Sequence, residues 1–170
     1  NITTHDLGYV LGPRINAGGR VGKSTHGANL LLNQNSKNAF KLSVDLNTYN
    51  KERQILETKL LNKILNTDHE NSKDPVIILY GENWHEGIIG IIAARIKEKY
   101  NKPTIIISVN GNIGKGSGRS IQGFDMGSTI IGAVQSTLLE KGGGHKMAAG
   151  FTIDMNNIIK FKEYVFRKFK

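Results

Sequence analysis

The sequence predicts an α/β fold in which a mixed sheet is flanked by helices and preceded by a long connector helix. Two short apolar runs, VIILY (Val76 to Tyr80) and PTIIIS (Pro103 to Ser108), bracket a helix-length stretch and read as a βαβ unit. A polar-amphipathic run from Ser36 to about Asn66 comes before them, and glycine-rich, strand-length segments follow.

Taken in order, Asn1 to Val21 reads as an irregular loop, because Gly8, Gly12, Pro13, Gly18 and Gly19 interrupt any period. A short helix is expected from Ser24 to Leu32, capped by Ser24 or Thr25, with Asn33 to Asn35 breaking it. Ser36 then caps the long helix, which carries Phe40, Val44, Leu46, Ile55, Leu60 and Ile64 at mixed three- and four-residue spacings. The polar stretch Thr67 to Pro75 marks a boundary. Beyond it come the first strand, a helix from Ile88 to Tyr100, the second strand, and a glycine-rich third strand from Ile113 to Ile121. A helix from Met126 to Leu139, a strand from Ala149 to Ile153 and a closing helix from Asn156 to Lys170 complete the chain.

Composition narrows the function. The 170 residues hold 23 Lys and Arg against 14 Asp and Glu, a formal charge of +9 that suits a polyanionic partner but is equally produced by a Lys/Asn/Ile-rich composition. No cysteine is present, which excludes disulfides, thiol nucleophiles and zinc ribbons and makes the cytoplasm the expected location. No apolar run approaches the roughly 20 residues that span a bilayer, so no membrane partner is expected. The chain begins with Asn and reaches a motif almost at once, as a piece of a longer protein would.

Four segments carry candidate chemistry. AGGRVGKS (Ala17 to Ser24) satisfies a permissive P-loop pattern, yet Gly12 to Asn16 make no preceding strand and neither apolar strand ends in a magnesium-holding acid, so the pattern argues weakly for nucleotide. Arg14, Asn16 and Arg20 are either phosphate-facing donors on a glycine turn or solvated side chains of a structural one. WHEGIIGIIAARI (Trp84 to Ile96) offers Gly87, Gly90, Ala93 and Ala94 for close helix packing, with His85 and Glu86 as caps rather than catalysts. In GKGSGRS, alternate glycines (Gly114, Gly116, Gly118) are expected to uncover the backbone for an anion, with Lys115, Ser117, Arg119 and Ser120 as donors. A bulged edge strand is the alternative. In GGGHKMAAG, Gly142, Gly143 and Gly144 are expected to form a left-handed nest for an anion, with His145 and Lys146 where a helix begins.

The last two motifs, in this order, resemble the DHH-associated domain of the DHH phosphoesterase superfamily. GPRINAGGR (Gly12 to Arg20) before a long helix, with WHEGIIGIIAARIKEKYNKP ahead of GKGSGRS, is similar to its single-strand-specific 5′-to-3′ exonuclease branch. The resemblance runs from about Leu11 to Ile153 and is weaker from Asn33 to Lys73. It implies that residues 1–35 end a DHH domain and form a hinge, 36–74 are connector helix and linker, and 75–170 are the substrate-binding domain. It further implies a metal-dependent hydrolase of recombination and repair using Mn2+ or Mg2+, acting on single-stranded DNA, with RNA left open. The metals would be held by a missing N-terminal DHH domain; this chain has no Asp-His-His, and His5-Asp6 and Asp68-His69 are isolated pairs, so no metal is expected on it. Gly116 to Ser120 and Gly142 to His145 would grip the substrate, and Arg14, Asn16 and Arg20 would lie near the hinge. The alternatives are a short-oligonucleotide phosphoesterase and a non-catalytic RNA-binding appendage like that of alanyl-tRNA synthetases.

Overall fold

In the computed structural model the described residues are 2–66 and 74–169, so most of the expected linker, with Asp68 and His69, lies outside them. The chain divides into two compact units, Asn1–Lys59 and Leu60–Lys170.

Every regular element among the described residues of the first unit is a helix, and helix from Thr4 onward corrects the loop expected over Asn1 to Val21. A π-helical turn over Asp6–Leu11 leads into α1 (Gly12–Val21), followed by α2 (Thr25–Leu32) and the start of α3 (Ser36–Leu65). Pro13 does not break α1, because it sits in the first turn, where its missing N–H has no helical partner to lose. Of the glycines that read as breakers, Gly12 and Gly18 are contact points, whereas Gly8 and Gly19 have open space around them; Gly27 of α2 is a contact point as well. A methyl group at Gly18 would lie 2.7 Å from the Lys23 carbonyl and 3.2 Å from Leu46, and one at Gly27 would lie 2.9 Å from the Ile15 carbonyl. The P-loop pattern therefore covers a helix and its C-terminal turn, and no strand feeds it.

Ser24 occupies the cap position of α2 without a side-chain bond. The cap of α3 is Asn35 and not Ser36: its Oδ1 accepts from the N–H groups of Lys37 (3.0 Å) and Asn38 (3.2 Å).

The second unit is the predicted mixed sheet. Its strands are β1 (Ile77–Glu82), β2 (Thr104–Asn110), β3 (Ile113–Arg119), β4 (Lys141–His145) and β5 (Ala148–Asp154), in the order β1-β2-β3-β5-β4. β1 and β2 are parallel, joined by the helix α4 (Glu86–Tyr100), as a βαβ crossover requires. All other pairs are antiparallel. Gly111, in the left-handed region at φ 58°, helps turn β2 into β3. The helices α5 (Met126–Gln135) and α6 (Ile158–Lys168) complete the unit. α5 stops at Gln135, short of the expected Leu139, where Ser136 donates back to the Gly132 carbonyl and Thr137 turns left-handed.

Strand alternation separates two sheet faces. One carries Ile78, Ile105, Ile107, Val109, Phe151 and Ile153 into a core closed by Met126, Ile130, Phe161 and Val165 of α5 and α6. The other carries Ile106 and the side chains of β3 that point toward α4, whose Ile88, Ile89, Ile92, Ala93 and Ile96 are buried. His85 caps α4 as expected, its Nδ1 accepting the Gly87 N–H at 3.1 Å.

Two readings of the glycine motifs are corrected. β3 is an interior strand, paired on both sides, so its backbone N–H groups belong to ladders and are not open to an anion. Gly114, Gly116 and Gly118 point into the core: a methyl at Gly116 would overlap the Phe151 ring, and one at Gly118 would lie 2.7 Å from the Met126 sulfur. The GGG segment is not a nest either. Gly142, Gly143 and Gly144 are extended in β4, and the only positive-φ glycines among the described residues are Gly111 and Gly123. No helix begins at His145; Lys146 and Met147 turn β4 into β5.

Candidate nucleic-acid interface

On the sheet face that α4 covers in part, the register of β3, β5 and β4 lines residues up in rows. Arg119, Ala148 and His145 form one row, Ser117, Gly150 and Gly143 the next, and Lys115, Thr152 and Lys141 the third. Cations stand at both ends and a nearly side-chain-free row lies between them. A methyl at Gly143 would meet nothing within 4 Å, so this floor is open.

The donors are held in place. Arg119 Nη1 donates to Ser117 Oγ (3.1 Å) and to the Gly118 carbonyl (2.8 Å), which fixes the guanidinium along the sheet. α4 packs close enough that a methyl at Gly90 would lie 2.9 Å from Arg119 Nη2 and 3.0 Å from Ser117 Oγ. Lys115 Nζ donates to the buried Thr152 hydroxyl at 3.1 Å, crossing from β3 to β5. His145 and Lys146 are exposed at the hairpin tip. The hairpin is anchored at its end, since Met126 donates to the Lys146 carbonyl (3.0 Å) and Ser120 to the Met147 carbonyl (2.9 Å).

Not every residue singled out in the sequence belongs to this face. Ser120 is buried, and its hydroxyl donates to the Phe124 carbonyl at 2.7 Å, so it is a structural residue. Gly116, Gly118, Gly142 and Gly144 face away: methyls at Gly142 and Gly144 would strike Ile130 (2.7 Å) and Ala149. Arg14, in the other unit, donates to Asn47 Oδ1 on α3 (3.1 Å) and to the Val10 carbonyl (2.6 Å), so it ties α1 to its neighbours instead of standing on a glycine turn. Asn16 and Arg20 are exposed one turn apart on α1. Lys141 and Gly150, which sequence reading missed, belong to the face, as does Gly90 beside it. Among the described residues no three His, Asp or Glu side chains come together to hold a metal ion.

The second unit thus combines a mixed five-stranded sheet with a face that carries a glycine floor, a clamped arginine and flanking lysines. The chain belongs to the DHHA1 domain family, which matches residues 73–170. It is 35% identical to the single-stranded-DNA-specific exonuclease RecJ of Escherichia coli, over 95% of this chain and 30% of that protein. The crystal structure of RecJ from Thermus thermophilus in complex with Mn2+ superposes on 96% of the chain and 24% of its own length, with TM-score 0.86 and 31% identity; the same protein in complex with Mg2+ gives 0.86 as well. The chain thus spans under a third of the length of these relatives.

The helix α4 has a testable part in this arrangement. Gly90→Ala is expected to displace the Arg119 guanidinium by a few tenths of an ångström and weaken single-strand binding about three- to tenfold, with a melting temperature within a few degrees of the parent. Fluorescence anisotropy with a labelled oligonucleotide, paired with thermal melting, measures both. Unchanged affinity would mean that the close approach of α4 does not position Arg119.

Proposed function

We propose that this chain is the substrate-gripping part of a single-strand-specific DNA exonuclease acting 5′ to 3′ in recombination and repair, with residues 75–170 as the gripping domain, 36–74 as connector and 1–35 as the end of the DHH domain. The observation that carries the reading is the three-row face: Arg119 and His145 at one end, Lys115 and Lys141 at the other, and an uncovered glycine floor between. A guanidinium held edge-on by Ser117 and Gly118 suits bidentate recognition of a phosphate. A floor without side chains lets a sugar–phosphate backbone lie against the sheet, which a duplex is too wide and stiff to do in the same way. Asn16 and Arg20 add a separate pair of donors in the helical unit. In the cytoplasm the intact enzyme uses Mn2+ or Mg2+, held by aspartates and histidines outside the residues described here.

This reading predicts that the 170-residue chain binds single strands through phosphates and does not cut them. The logarithm of its affinity for a single-stranded hexanucleotide should fall with the logarithm of salt at a slope between about −1.4 and −2.8, the value for neutralising two to four phosphates. Anisotropy titrations from low to moderate salt measure the slope, and incubation of labelled strand with Mn2+ measures cutting. A flat salt response would remove the phosphate grip, and chelator-sensitive degradation by the pure chain would place the metal centre on it.

A further inference from the structure

We propose that Lys115 and Lys141 form a second phosphate subsite, so that the face reads three successive phosphates of an extended strand running parallel to β3. The inference rests on the first subsite being at Arg119 and His145. It follows from covalent repeat lengths. One nucleotide step and two residues of an extended chain both span six backbone bonds, so a nucleic-acid strand laid along a β-strand advances about one phosphate for each row of the sheet. Rows are about 6.8 Å apart, and the Arg119 row and the Lys115 row therefore about 14 Å apart.

The chemistry of each row fits its place. A phosphate at the first row meets Arg119 and His145. The next phosphate lies over Ser117, Gly150 and Gly143, where the absence of side chains allows contact with the sheet and Ser117 supplies a hydroxyl. The third meets Lys115 and Lys141, which flank Thr152 in register from opposite sides. Lys115 is already drawn across the face by its bond to Thr152 Oγ1, so its charge is directed over the track and not away from it. Lys141 is exposed. One row further on, Asp154 stands opposite Ile113 and accepts the Asn156 N–H at 2.8 Å; a carboxylate there repels a fourth phosphate and ends the track. A long neutral or acidic side chain at the lysine row would leave the arginine end as a simple end-group pocket. Two lysines in one row make it a ruler.

The test uses 5′-phosphorylated oligothymidylates of two, three and six nucleotides, titrated by calorimetry or anisotropy against the chain and against Lys141→Gln, Lys115→Gln and Arg119→Lys. A phosphorylated dinucleotide carries two phosphates and stops short of the lysine row, whereas a trinucleotide reaches it. For the parent protein, affinity is expected to rise about three- to tenfold between two and three nucleotides and little from three to six. Lys141→Gln should abolish that rise while leaving the dinucleotide unchanged, and should reduce the salt slope on the trinucleotide by about 0.7. Lys115→Gln should act in the same direction, and Arg119→Lys should weaken all lengths alike. If Arg119→Lys weakens every length but neither lysine variant alters the step from two to three, the second subsite is wrong and the first stands. If Arg119→Lys also leaves binding intact, the first subsite falls and the ruler with it.

Discussion

Arg119→Ala is expected to weaken binding of a 5′-phosphorylated single strand by about ten- to a hundredfold, the equivalent of roughly 1.5–3 kcal/mol for a lost charge-assisted contact. A solvated surface arginine would cost under about 0.5 kcal/mol, so the two roles are well separated. Arg119→Lys divides them further. Lysine keeps the charge but not the fork, nor the bonds to Ser117 Oγ and the Gly118 carbonyl that hold the fork in place. Bidentate recognition predicts that Lys restores only a small part of the loss, while a purely electrostatic role predicts near-full recovery. Binding of both variants, with melting temperature as the control for folding, distinguishes them.

The second large effect concerns two glycines that look alike in the sequence and are opposite in the structure. Gly116→Val would drive methyl groups into the Phe151 ring, which is buried and packed on Phe161 at 4.9 Å between ring centres. Overpacking of this kind costs about 1–3 kcal/mol, so the melting temperature should fall by on the order of 10 °C. Gly143→Val meets open space instead. It should leave stability within about 0.5 kcal/mol of the parent and obstruct the floor, lowering affinity several-fold. Thermal melting and strand binding of the two variants side by side would contradict the assignment of faces if both lost stability equally, or if Gly143→Val bound like the parent.

That contrast also marks what was legible in the sequence. The runs around Ile78 and Ile106 announced β1 and β2 because both sides of β2 and of the start of β1 are covered, and α4 between them followed from its small and apolar residues. β4 was not legible. KGGGH has no strand propensity, and its extended form comes from pairing with β5 and from the fit of Gly142 and Gly144 against Ile130 and Ala149. α1 was hidden for a similar reason: its glycines lower helix propensity, but Gly18 admits the close contacts with Lys23 and Leu46 that tertiary packing rewards.

Within the site, residue type alone pointed to Arg119, Ser117, Lys115 and His145. Lys141 escaped because only the β4–β5 register places it across Thr152 from Lys115. The error over Ser120 was avoidable. It shares the parity of Gly114, Gly116 and Gly118, so once those glycines are assigned to the core, Ser120 must follow them inward, where it binds the Phe124 carbonyl. Neither an uncovered backbone nor the alternative of a bulged edge strand fits β3, which is paired on both sides. Its interior position depends on β5, more than thirty residues away.

The central claim, that one sheet face holds the strand, is tested most directly by mapping amide chemical-shift changes while a 5′-phosphorylated trinucleotide is titrated into the isotopically labelled chain. The largest changes are expected at Ser117, Arg119, Gly143, His145 and Gly150, with little change across α5 and α6. Shifts concentrated on α5 and α6, with the glycine floor silent, would contradict it.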